Sequence, residues 1–225
     1  MKSSSFFKYI RSTIAILVLC TIFLTGCAKE NKIEVVGVDL FKDKNTGVTY
    51  KVAPASYEAM AVTDELYASV GNAKLYKIDG ADPEKWLSES TGSVFYAEDI
   101  ELPSLAEMDV AYAEILLDGV TLVTLDNEFT LAKISAIFIE EESFSRPMVA
   151  TYEINWRVRF ADESLGLYYT LAYVEISEDY IVENSDGTTT NYGRKFLFDR
   201  HKDICVMAGD VFDSYVAEYK ALNQA

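Results

Sequence analysis

Histidine is nearly missing from this chain. His201 is the only one in 225 residues, and cysteine occurs three times, at positions 20, 27 and 205. Such a stock cannot assemble a tetrahedral zinc site, which takes four ligands drawn mainly from Cys and His. It leaves one candidate pair for nucleophilic catalysis, His201 with Cys205, four residues apart across an expected tight hairpin. A working Cys–His pair needs the imidazole within hydrogen-bond reach of the sulfur and a third group to orient it. A His at a hairpin tip points into water, so the expectation is a packed thiol and a surface imidazole. Neither a G-x-S-x-G nucleophile elbow nor a glycine-rich phosphate loop is present, and no cofactor is expected. Basic residues are scarce as well: 20 Lys and Arg stand against 36 Asp and Glu, a net charge of −16. A nucleic-acid binder needs a basic face, and the overall field of this chain repels polyanions.

The surplus of acid raises two further chemistries. "DGADPE" (Asp79 to Glu84) and "ENSDG" (Glu183 to Gly187) offer oxygen ligands, but neither has the alternating acids, central glycine and distal Glu of a calcium loop. Glu140, Glu141 and Glu142 are adjacent in sequence, so their carboxylates diverge around a helix end. No metal site is assigned. A pair of carboxylates flanking a glycosidic bond would suffice for a glycosidase, yet nothing in the sequence singles out two acids from the 36.

Long hydrophobic runs are also lacking. The one apolar stretch, from Ile14 to Leu24, follows Lys2, Lys8 and Arg11 and precedes the first acid, Glu30. Its roughly 11 residues would rise about 17 Å as a helix, against a hydrocarbon core of about 30 Å. A basic start followed by a short apolar core has the form of a secretory signal. Its end, Leu24-Thr25-Gly26-Cys27, resembles the lipobox of bacterial lipoproteins. The resemblance covers only this leader. It implies that the Cys27 thiol carries a diacylglyceryl thioether and that a peptidase cuts between Gly26 and Cys27, removing residues 1–26. Two acyl chains on one residue, at about 0.8 kcal/mol per buried CH₂, hold a chain stably on a membrane where one chain does not. The expected location is therefore extracytoplasmic, lipid-anchored to the cell membrane. The strongly acidic, disulfide-free remainder is similar in style to acidic lipoproteins of Gram-positive bacteria, a likeness of composition that implies no activity.

Removing 26 of the 225 residues leaves 199, and the leader takes three basic residues and no acid with it, leaving 17 against 36. With Cys27 acylated, Cys205 is the one remaining thiol, so no internal disulfide is available and stability must come from the core. Residues 27–32 read as a lipidated tether. The domain that follows, 33–225, reads as a single α+β unit with two conceivable lobes, 33–125 and 126–225.

Strand signals dominate. Ile33 to Phe41 and "VTYKVA" flank the turn-rich "KDKNTG"; "AKLYKI" and "GSVFYAED" are further strands, and Asp118-Gly119 is a favoured hairpin dipeptide between two more. "PASYEAMAV" from Pro54 and the segment from Asp82-Pro83 through Trp86 are expected to be short helices, the second opened by an acidic cap and a proline. Ser104 and Glu107 have capping-box spacing. Phe129, Ile134, Ile137 and Phe138 recur at helical spacing, which predicts a helix from about Asn127 to Glu141. "YEINWRVRF" alternates five times: Tyr152, Ile154, Trp156, Val158 and Phe160 on one face, Glu153, Asn155, Arg157 and Arg159 on the other. "LYYTLAYVEI" returns antiparallel to it. "RKFLFD" and "ICVM" form a hairpin around Arg200 to Asp203, and Asp210 caps a last helix with Phe212, Tyr215, Val216 and Tyr219 on one stripe.

The fold expected from this pattern is mainly antiparallel sheet with a few covering helices. Arg157, Arg159 and Arg194 are the candidate ligand residues, a guanidinium cluster able to grip an acidic group; cross-strand ion pairing with Glu153 or Glu175 is the competing expectation. The function expected is that of a non-catalytic binding or interaction module on the membrane, its protein or envelope partner undefined. The alternatives are a solute-binding accessory of a transporter and, behind it, a carboxylate-based hydrolase. An accessory with two α/β lobes around a cleft would need an alternation of strand and helix that the sequence does not show.

Overall fold

The computed structural model describes residues 31–140, 142–146, 152–176, 181–183, 185–191 and 195–223. Residues 1–30, which include Gly26 and Cys27, and Arg194 lie outside these. The α+β expectation is overturned: the described chain is 48% strand and 15% helix, with two α-helices and two main sheets. The fold is a β-rich one, and the reason lies in where apolar faces find cover. The first sheet buries one face inside its own curl, around Tyr50, Leu75 and Phe95. Its other face contributes Trp86, Val94 and Tyr96 to a core shared with the second sheet, so among the described residues only two helices find apolar surface to cover.

The first sheet uses β1 (Ile33–Gly37), β2 (Leu40–Asp43), β3 (Thr49–Val52), β5 (Val62–Val70), β6 (Ala73–Ile78), β7 (Trp86–Ser88) and β8 (Val94–Ala97), in the antiparallel order β1-β2-β3-β8-β7-β6-β5. It curls until its two ends meet. Asn31, just ahead of β1, makes a parallel bridge to Ala68 in β5, and its N–H donates to the Tyr67 carbonyl at 3.0 Å. The inside of the curl holds Tyr50, Tyr67, Leu75, Leu87 and Phe95. Side chains of a strand alternate between faces, so Val94 and Tyr96 point away from Phe95 and join Trp86 in the main core. The short run "VFYA" is buried throughout because one face lines the curl and the other meets the second sheet.

That second sheet takes β4 (Tyr57–Ala59), β9 (Tyr112–Leu117), β10 (Val120–Leu125), β11 (Phe144–Ser145), β12 (Ile154–Asp162), β13 (Leu167–Glu175), β16 (Lys195–Asp199) and β17 (Ile204–Met207). The order is β10-β9-β12-β13-β16-β17-β11, with β4 added on β13. A small separate hairpin pairs β14 (Ile181–Glu183) with β15 (Thr189–Asn191). The alternation in "YEINWRVRF" is realised: Ile154, Trp156, Val158 and Phe160 are buried, and β12 pairs with β13 over nine residues from Ile154↔Glu175 to Asp162↔Leu167. Tyr152 departs from the expected stripe. It stands before the strand and packs with Phe144 and Phe196 in a smaller cluster.

Helix α1 (Glu128–Glu140) is capped by Asn127, whose side-chain oxygen accepts the Thr130 N–H at 3.1 Å. It buries Leu131, Ile134 and Phe138. Phe129, read from the sequence as part of that stripe, is 79% exposed; a helix advances 100° per residue, which carries position 129 off the face that holds 131, 134 and 138. Helix α2 (Asp213–Asn223) lies on the second sheet through Val216 and, just ahead of it, Phe212. The two short helices expected after Pro54 and Asp82 are not formed. The first segment supplies β4, whose Glu58 and Tyr57 pair with Tyr168 and Tyr169; the second is a turn leading directly into β7, with the Trp86 N–H bonded to the Asp82 carbonyl. In both places tertiary pairing outweighs local propensity.

The sheets touch where the β12–β13 turn meets the turn after β6. Gly166 has φ +65°, and a Cβ there would lie 2.6 Å from the Asp79 carbonyl oxygen. The Gly166 carbonyl also accepts the Met60 N–H at 2.9 Å. Left-handed backbone and a backbone collision act together, so Gly166→Ala should lower stability by about 2–4 kcal/mol, read by denaturant melts.

Candidate functional site

Three of the fully buried acids end strands and hold the turns that follow. Asp43 closes β2, Asp162 closes β12 and Asp199 closes β16. The Asp43 carboxylate accepts the Asn45 N–H at 2.7 Å, the Tyr67 hydroxyl at 2.6 Å and the Asn31 side-chain amide at 3.0 Å. Asp162 accepts Ser164 Oγ at 2.6 Å, the Leu165 N–H at 3.1 Å and, across the fold, the Asp109 N–H at 2.9 Å. Asp199 accepts the N–H groups of His201 and Lys202 at 2.8 and 3.2 Å, Ser56 Oγ at 3.2 Å and the Tyr169 hydroxyl. An Asp at the last strand position hydrogen-bonding backbone two or three residues on is turn chemistry. These carboxylates are engaged in holding loops, and each ties its turn to a distant segment.

Cys205 and His201 share the β16–β17 hairpin. Cys205 is buried, opposite Phe198 in β16 and Phe144 in β11. Burial pushes its thiol up to about 12; Arg146 works weakly against this and Asp203 with it. The His201 side chain is exposed on the turn. A reactive thiol needs a lowered pKa and access, and this one has neither. Iodoacetamide should therefore label the folded protein at Cys205 only as it unfolds, and fast labelling at pH 6 that disappears in His201→Ala would contradict the geometry.

Of the three arginines singled out by the sequence, Arg157 and Arg159 do share one face of β12. Arg157 pairs with Glu58 on β4 rather than with Glu153 or Glu175, and that carboxylate also accepts Thr170 Oγ1 at 3.0 Å. Arg159 Nε reaches Glu114 on β9 at 2.6 Å, and its guanidinium stacks over the Tyr168 ring at 4.2 Å. Glu114 stands on the neighbouring strand, directly opposite Arg159 in register, whereas Glu58 lies one strand further off, on the β4 that pairs with β13. The ion pairs are cross-strand, with partners that sequence distance concealed.

Two hollows lie on the two flanks of α2. On one side, Trp156 floors an apolar hollow of about 110 Å³ walled by Ile115, Leu122, Val123, Tyr215 and Leu222. On the other, an open cleft of about 450 Å³ lies between the ends of β12, β13 and β16 and the helix. Two lysines there face three carboxylates: Lys195 with Asp213, and Lys220 with Glu175 at 3.4 Å, with Glu153 beside them. Glu175 is 6% exposed and accepts the Tyr173 hydroxyl at 2.8 Å. Burial, and then that hydrogen bond, raise the Tyr173 pKa far above that of a free phenol. Such a cleft suits a group carrying both signs of charge. Sequence reading missed Lys195, Lys220 and Asp213. Lys195 stands directly opposite Glu175 in the β13–β16 register, and that facing pair is the signal that was available.

Among the described residues, no group of three or more His, Cys, Asp or Glu gathers as metal ligands do, and no helix is long and apolar enough to cross a membrane. No protein-family model, curated protein or solved structure matches the chain.

Proposed function

We propose that the chain is a lipid-anchored, extracytoplasmic binding module that presents the α2 face of its second sheet to a protein or envelope partner. The observation that carries the binding part is the pairing of two unlike hollows along one exposed helix, one apolar around Trp156 and one charged around Glu175 and Lys220. Apolar contact flanked by polar groups is the make-up of interaction surfaces. The anchor part rests on Leu24-Thr25-Gly26-Cys27 behind a short basic and apolar leader. The engagement of Asp43, Asp162 and Asp199 in turns supports a role other than carboxylate catalysis.

Two measurements test the halves separately. Intact mass of the protein from its host should show a diacylglyceryl-modified Cys27 at the N-terminus, and an unmodified mass or another cleavage site would sink the anchor. A photo-crosslinker at Glu218, beside the apolar hollow, should capture a partner that one at Asp64 on β5 does not; Lys220→Glu should abolish the capture. Equal capture from both positions would sink the assignment of the surface.

A further inference from the structure

The first hairpin carries an apolar tip that nothing in the fold covers. Val35 is 61% exposed, Val36 49% and Val38, at the turn between β1 and β2, 90%. Val52, one residue past the Lys51 that pairs with Leu40, adds a fourth valine at the same end of the sheet at 42%. The register of β1 on β2 slips between Val35 and Gly37, so an extra residue is accommodated there and Val35 and Val36 both face solvent in place of the usual alternation. Isolated exposed apolar residues need no explanation, but four together at one tip do.

The place of the hairpin in the chain says what covers it. Three residues stand between Cys27 and Asn31, four steps along the chain, and an extended chain gains at most about 3.6 Å per step. A lipid on Cys27 therefore keeps Asn31, which is fixed against β5, within about 14 Å of the bilayer, less than the roughly 23 Å that the chain from Asn31 to the tip at Val38 covers at about 3.3 Å per residue. The hairpin is the first described element after Cys27 and is long enough to lean back onto the membrane. Its charge permits this. Between Asn31 and Lys44 three lysines, Lys32, Lys42 and Lys44, offset Glu34, Asp39 and Asp43, whereas the rest of the chain is strongly acidic and repelled by anionic headgroups.

We infer that the β1–β2 tip is a second membrane contact, its valines resting in the interfacial zone of the bilayer to which the lipid anchors the chain. This rests on the anchor reading above. Four small aliphatic side chains bind a bilayer weakly on their own; tethering makes the contact intramolecular, and a high effective concentration then suffices to hold it. The consequence is orientation. The protein lies with its curled sheet against the membrane.

The test uses the full lipidated protein from its host, reconstituted in phosphatidylglycerol vesicles, with an environment-sensitive fluorophore on Val38→Cys; the native Cys205 is buried and stays unlabelled. Expected are a blue-shifted emission and loss of fluorescence when nitroxide-labelled lipid is included, with neither change for the same probe on Glu128→Cys at the start of α1. Flotation with the vesicles but an unquenched Val38 probe overturns the inference and leaves the anchor standing. Failure to float overturns the anchor and the inference with it. A blue shift that grows with protein concentration and ignores nitroxide lipid means a second copy covers the tip, which also overturns it.

Discussion

Trp156→Ala should unfold the protein at markedly lower denaturant, with a loss of about 3–5 kcal/mol, as expected for removing a large buried aromatic. Trp156 is 1% exposed, sits on the core face of β12 and touches three separate elements. Its ring packs on Tyr173 at 5.8 Å and edge-on to Tyr219 of α2 at 5.4 Å, and it floors the apolar hollow beside β10. Neither α2 nor β10 can move inward to fill the void without giving up its own contacts. Arg157, the next residue, points the other way and pairs with Glu58, the guanidinium side chain 40% exposed; Arg157→Ala should cost about 1 kcal/mol. The contrast between neighbours is the sharp part of the expectation, and a reversed order in urea melts would place the core on the wrong face of β12.

Alkaline pH should unfold the protein cooperatively soon after it passes 10. Tyr50, Tyr57, Tyr168, Tyr169 and Tyr173 are buried, and burial first, then hydrogen bonding or nearby acids, holds every one of their phenols above the ordinary value, Tyr57 at about 12. The folded state keeps these protons while the unfolded chain, with free phenols near pKa 10, gives them up. The native form thus binds more protons above pH 10, and stability is complete below that pH and falls as it rises. Each retained proton costs about 1.4 kcal/mol one unit above pH 10, or about 7 kcal/mol for the five, comparable with the whole stability of an ordinary domain. The share of the tyrosinate absorbance near 295 nm that belongs to these five of the 15 tyrosines should rise in one step, together with loss of the near-ultraviolet circular dichroism. A gradual rise spread over the titration range of free phenols, with the fold intact, would mean that these hydroxyls are reached by solvent.

What could be read from the sequence was whatever depended on a few adjacent residues. The β12 alternation, the Asp118-Gly119 hairpin with φ of +50° and +81°, and the Ser104–Glu107 box, realised with the Ser104 N–H on Glu107 at 2.8 Å, are all local and all present. What failed depended on remote partners. "PASYEAMAV" has good helix formers, and nothing within it reveals that Tyr57 meets the Tyr169 ring edge-on and that its backbone pairs with β13. β5, nine residues long, hides behind Thr63, Asp64 and Glu65, where register slips on either side of Leu66 break the alternation. The general fold class failed for the same reason: that the first sheet would curl on itself until Asn31 meets Ala68, and so cover its own inner face, is not written in any segment. The cleft beside α2 was illegible because Glu175, Lys195, and the pair Asp213 and Lys220 come from three elements, β13, β16 and α2.

The closure of the first sheet at Asn31 also has a mechanical meaning. Residues upstream of position 31 connect to the fold through the residue that shuts the curl: its N–H is on Tyr67, its amide nitrogen on Asp43, and its side-chain oxygen accepts Asn45 at 2.8 Å. Any tension in the chain upstream is delivered to that seam. One parallel bridge is opened a bond at a time, as a zip is, whereas the long β12–β13 ladder is loaded from neither of its ends by such a pull. Under load the curl should part first, baring Tyr50, Tyr67 and Phe95 while the second sheet stays whole. An optical-tweezers trace pulled from residue 31 would then show a small early extension well before the main rupture, and Asn31→Ala would bring that first step to lower force.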